Sequence, residues 1–153
     1  MESVTELIER LYYNDTKAAY EALQLLEAES EKSNAVYKFF DKFAEMIEDR
    51  NSYRRTRGLT LISVNAKWDT ENKIDEIIDK YLKHILDEKP ITARQCIKVL
   101  PNIAKYKPEL VECITEALRK ADTEVYNESM RPLVYKDIIS TLKKINNGEG
   151  GTL

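Results

Sequence analysis

The sequence predicts an all-α fold of about eight helices, and three observations carry that prediction. Apolar residues recur at intervals of three and four along nearly the whole chain, the spacing that lays them on one helical face. Gly and Pro are scarce, 4 of each in 153 residues, too few for the many tight turns of a sandwich or barrel. Hydrophobic residues make up 42% and charged residues 33%, a Leu-, Ile-, Ala-, Glu- and Lys-rich mixture suited to helices. A chain of this length is expected to form one domain, here residues 1–146, with a core buried without disulfides or metal. The tail 147–153, with three of the four glycines, is expected to be flexible.

The elements follow in order. Ser3 caps a first helix to about Tyr12, with Glu6 completing a capping box. Asn14–Asp15 cap a second helix whose face carries Ala18, Ala19, Ala22, Leu23, Leu25 and Leu26. Ser33 or Asn34 opens a third, with Tyr37, Phe39, Phe40, Phe43, Ala44 and Ile47. Asn51–Ser52 opens a fourth that runs to Trp68, and Asp69–Thr70 a fifth through Ile85. Pro90 begins a sixth and Pro108 a seventh, each at a first-turn position where the missing N–H costs nothing. The eighth spans about Asn127 to Ile145. Pro101 and Pro132 fall inside the sixth and eighth, where each removes a hydrogen bond. A kink is expected near Leu100, and a kink or a late start ahead of Pro132.

An internal repeat organises these helices. Arg57, Arg94 and Arg131 are spaced 37 and 37 residues apart. The same offset aligns Leu59, Cys96 and Leu133, and on the intervening helices Tyr37, Ile74 and Val111, then Phe40, Ile77 and Ile114. Two helices per period fit a helical solenoid, in which stacking of units supplies the core. The pattern resembles HEAT and armadillo-like repeats over roughly Asn14 to Ile145, and implies a right-handed α-α superhelix. In HEAT units an Asp near the inter-helix turn precedes an Arg of the second helix; here Asp49 precedes Arg57, Asp87 precedes Arg94 and, more loosely, Asp122 precedes Arg131. The resemblance implies an arginine ladder (Arg57, Arg94, Arg131, with Asp49 and Asp87) that fixes the register of adjacent units.

Catalytic constellations are thin, and no enzyme is expected. His84 is the only histidine, next to Lys83 at a helix end. Asp75, Glu76 and Asp79 read as a solvated face paired with Lys73, Lys80 and Lys83 rather than as metal ligands. Cys96 and Cys113, 17 apart, suggest neither a disulfide framework nor a zinc site, and Cys96 aligns with core positions. There is no Gly-rich phosphate loop. No catalytic residue, metal or cofactor is therefore expected. The absence of an 18-residue apolar run argues against a membrane span, and the amphipathic acidic start is unlike a signal peptide; a cytoplasmic location is expected.

Charge is segregated along the chain. Arg50 to Trp68 holds five bases and no acid, as does Lys89 to Lys107. Asp69 to Glu88 holds seven acids against three lysines. Both basic segments are second helices of their units, which line the concave side of a HEAT array. The sequence thus predicts a scaffold or interaction module whose basic inner surface holds an acidic peptide or protein, although the net charge is -3. The candidate contact residues are Arg54, Arg55, Lys98, Asn102 and Lys105. The alternative is nucleic-acid binding, as in the HEAT-like glycosylases that repair alkylated DNA. A competing outcome is that basic helices merely neutralise acidic neighbours in weak pairs. Tyr12, Tyr13, Tyr53, Tyr106, Tyr126 and Tyr135 are expected to sit partly exposed.

Overall fold

The computed structural model describes residues 2–148. Among them every regular element is helical: eight α-helices joined by turns, several of them single 3₁₀ turns. None of these helices is long and apolar enough to cross a membrane. Contacts divide the chain into two compact units, the first ending at Lys73 and the second beginning at Ile74.

The first unit contains α1 (Val4–Arg10), α2 (Thr16–Lys32), α3 (Phe40–Met46) and α4 (Ser52–Val64). The Ser3–Glu6 capping box forms as the sequence predicts, and Asp15 caps α2 by accepting the Lys17 and Ala18 amides. Helix α1 packs on α2, α3 on α4, and α2 on α4. Hydrogen bonds fix the last pairing as parallel. The Trp68 indole N–H, just past the end of α4, donates to the Ser30 carbonyl near the end of α2 at 2.7 Å. Arg57, in the second turn of α4, donates to the Leu11 carbonyl ahead of α2 at 2.6 Å. Phe40, Phe43, Leu26, Met46, Leu59 and Ile62 fill the core.

Two boundaries in this unit differ from the sequence expectation. Ser33 does not open the third helix; it ends α2 in an extended conformation, its amide donating to the Glu29 carbonyl, and α3 begins after a 3₁₀ turn at Tyr37–Phe39. The fourth helix stops at Val64 rather than Trp68. The buried Asn65 side chain donates to the Leu61 carbonyl at 2.9 Å and the Ser30 hydroxyl at 3.2 Å, an alternative to continuing the helix.

The second unit contains α5 (Lys73–Leu82) from Ile74 onward, α6 (Pro90–Tyr106), α7 (Val111–Lys120) and α8 (Arg131–Asn146). Helix α5 starts later than Asp69–Thr70. The Asp69 carboxylate accepts the Lys73 amide at 2.9 Å, and Asn72 takes a left-handed φ of 55°. Helix α8 begins at Arg131 rather than Asn127, so Pro132 falls in its first turn, where no hydrogen bond is lost. At the other end the Asn147 amide donates to the Lys143 carbonyl at 2.9 Å and Gly148 takes φ 71°, while 149–153 of the expected tail lie outside the described residues.

Helix α6 continues through Pro101. Proline leaves the Ile97 carbonyl, one turn back, without its helical donor. The buried Thr141 hydroxyl of α8 donates to that carbonyl at 3.0 Å. The proline is thus tolerated because a neighbouring helix supplies the missing donor. Thr141→Val is expected to cost about 1–3 kcal/mol in urea unfolding, the penalty of an unpaired buried carbonyl. Adding Pro101→Ala, which restores an N–H, should recover part of that loss; no recovery would show that the carbonyl is not the cause.

Candidate interaction surface

The basic residues of α4 are spent inside the fold. Asn51 accepts the Tyr53 and Arg54 amides and starts the helix, leaving the turn carbonyls before it open. Arg55 is 6% exposed and donates to the carbonyls of Asp49 and Arg50 at 3.1 and 3.0 Å. Arg54 donates to the Tyr12 carbonyl at 2.8 Å, lies 3.6 Å from Asp49, and stacks over the Tyr12 ring at 5.4 Å. Arg57 is buried, and burial lowers its pKa. Lys67 donates to the Glu31 carbonyl at 2.6 Å. The expectation that Arg54 and Arg55 line an open groove is therefore corrected. Every residue from Arg57 to Ala66 is buried, so from Arg57 onward α4 has no solvated face on which to gather charge. Its long cationic side chains instead fold back onto turn carbonyls, where peptide dipoles favour them.

Helix α6 differs. Ile91, Gln95, Lys98, Asn102 and Lys105 follow one another at four- and three-residue intervals and form its outward stripe. Ile91, Lys98 and Lys105 are exposed, while Gln95 and Asn102 are half-buried. The Lys105 ammonium lies 5.2 Å from the centroid of Tyr106. Of the acid-free segment's other bases, Arg94 is engaged by the Asp137 carboxylate of α8 at 2.6 and 3.4 Å, a hydrogen bond that raises its pKa. Lys107 is buried against Asp75 at 2.8 Å and Glu109 at 3.3 Å. Three of the five sequence-derived contact residues, Lys98, Asn102 and Lys105, thus share one face.

The three repeat-spaced arginines reach unlike partners. Arg57 meets the Leu11 carbonyl, Arg94 meets Asp137, and Arg131 donates to the Tyr126 carbonyl at 3.0 Å with Glu124 at 3.8 Å. Asp49 faces Arg54, and Asp87 lies 2.6 Å from His84 Nδ1 while accepting the Lys89 amide at 2.9 Å. The Asp–Arg spacing of the sequence does not translate into those pairs, because each Asp is drawn into the turn that contains it.

Burial pushes the Cys96 thiol well up, and it also raises Cys113, which donates to the Leu110 carbonyl at 3.3 Å. Both thiols are therefore held protonated at neutral pH. Asp75 is paired with Lys107 and Lys73 lies 3.3 Å from Asp41, so these two leave the expected solvated face, on which Glu76, Asp79, Lys80 and Lys83 are exposed. Among the described residues no group of three or more His, Cys, Asp or Glu could hold a metal. Tyr13, Tyr53, Tyr106 and Tyr135 are exposed, but Tyr126 is buried, its hydroxyl donating to the Asp87 carbonyl at 2.5 Å. No protein-family model, curated protein or solved structure matches the chain.

Proposed function

We propose that the chain is a non-enzymatic interaction module, built as a short right-handed superhelix of HEAT- or armadillo-like hairpins, and that the α6 stripe holds an acidic peptide or protein segment. Two features support the repeat architecture. Second helices run side by side within each unit, α2 with α4 and α6 with α8. The hydrogen bonds that link one hairpin to the next span 38 and 46 residues for Trp68–Ser30 and Arg57–Leu11, and 43 and 44 for Arg94–Asp137 and Thr141–Ile97, one to nine more than the 37-residue period. A quasi-one-dimensional stack makes contacts of this range, from each unit to its neighbour.

The observation that carries the binding reading is the α6 stripe itself. Lys98 and Lys105 stand in solvent two turns apart, with an amide at Asn102 between them and Ile91 exposed at the helix start. Two cations and an apolar anchor suit an extended or helical acidic segment. Fluorescence anisotropy with a labelled Glu-rich amphipathic peptide tests this. The double substitution Lys98→Glu/Lys105→Glu should weaken binding at least about tenfold, equivalent to about 1.4 kcal/mol, with the melting curve unchanged. Equal affinity in the variant sinks the proposal. Tight binding to random duplex DNA, falling steeply with salt, would assign the surface to phosphates instead.

A further inference from the structure

Helix α8 presents an apolar, solvent-exposed strip that the peptide-binding reading does not use. Tyr135 and Ile139, four residues apart on one side of it, are 57% and 44% exposed, while Leu133, 39% exposed, lies at the other edge of the solvated arc. Lys136 and Lys143 are exposed on the Tyr135 side of the helix, whose buried side is Val134, Ile138, Thr141 and Ile145. The helix carries four bases and one acid, Asp137, which Arg94 engages. This face is basic and apolar together.

The first hairpin has the opposite character. Residues 2–32 hold eight carboxylates against three bases, with Glu2, Glu6, Glu9, Glu21 and Glu31 exposed. A cleft of about 410 Å³ opens between α1 and α2, floored by Val4, Leu7, Leu25 and Ala28 and rimmed by Glu2, Glu29 and Lys32. Leu25 is 52% exposed at its mouth. The cleft has room for a projecting tyrosine or isoleucine side chain.

We infer that the α8 face of one molecule docks into the α1–α2 cleft of a second copy, so that the chain self-associates head to tail. Ile139 and Tyr135 enter the cleft, and Lys136 and Lys143 meet the surrounding glutamates. The two surfaces are opposite in charge, an apolar strip faces an apolar-floored cleft, and neither is self-complementary, which makes the contact heterologous. It uses neither Lys98 nor Lys105, so loss of peptide binding and loss of association are separable.

Sedimentation velocity tests this, with α8 variant Ile139→Glu and cleft variant Leu25→Lys. Both positions are exposed, and circular dichroism confirms that each variant is folded; Lys136→Glu serves as a second α8 variant that leaves apolar packing untouched. Wild-type mass should rise above 17.8 kDa with concentration and fall back in about 1 M salt. Each variant alone should be monomeric. Mixed together, Ile139→Glu and Leu25→Lys should form a finite 1:1 dimer, because one retains the cleft and the other retains the α8 face. A wild type that stays monomeric from micromolar to millimolar concentration overturns the inference. So does a mixture that stays monomeric, or a variant that associates as wild type does; either outcome points to a different contact.

Discussion

Gly58→Val is expected to give the largest loss of stability of any single substitution considered in the first unit. Gly58 sits in α4 where that helix crosses α3. A Cβ built there meets the Met46 Cβ and the Phe43 carbonyl oxygen, each at 2.9 Å, and the Ile47 Cγ2 at 3.1 Å. Two of the three obstacles are atoms close to or on the backbone of α3, so the helices themselves must move apart. Even Gly58→Ala should destabilise by about 1–3 kcal/mol, the range for overpacking a dense interface. That outcome opposes the gain of about 1 kcal/mol that alanine brings to an ordinary helix interior. Valine adds two methyl groups to the same clash and should lower the urea midpoint further. A Gly58→Ala protein with an unchanged or higher midpoint would show that α3 and α4 do not pack at this distance.

Lys107→Ala is expected to be the most damaging change in the second unit, costing about 1.5–3 kcal/mol at pH 7, the range for hydrogen bonds to charged groups. Lys107 is 4% exposed, between α6 and α7, and its ammonium lies 2.8 Å from the Asp75 carboxylate of α5. Burial pushes the Asp75 carboxyl up, but the Lys107 ammonium, by hydrogen bonding and by its charge, together with a side-chain hydrogen bond shared with Glu109 and a backbone hydrogen bond, holds it below the usual carboxylate range. A carboxyl depressed by folding contributes stability above its unfolded pKa of about 3.9, and that contribution is lost as pH falls through the lower folded value. Removing Lys107 takes away the main opposition to burial, so protonation costs the variant less than the wild type. The gap between wild type and Lys107→Ala should therefore narrow from pH 7 towards pH 3. A gap that stays constant or widens would mean that the ammonium acts through packing alone.

The sequence by itself determined which segments are helical and much of where they begin. Capping is a local matter of a few residues, so Ser3–Glu6, Asp15, Asn51 and Pro90 could be read directly as helix starts. The shared face of Lys98, Asn102 and Lys105 was equally legible, because residues at three- and four-residue spacing share a face whatever surrounds them; Ile91 and Gln95, which extend it, were not singled out. Boundaries set by distant partners were not. Asn65 ends α4 by reaching Ser30, and Thr141 lets α6 run through Pro101. The fates of the cations were not legible either. Charge counts along the chain treat Arg54, Arg55, Lys98 and Lys105 alike, yet packing buries all sides of α4 beyond its first turn and leaves one side of α6 open. An arginine can satisfy itself on any carbonyl within reach of its long side chain, and only the tertiary arrangement decides which carbonyls those are.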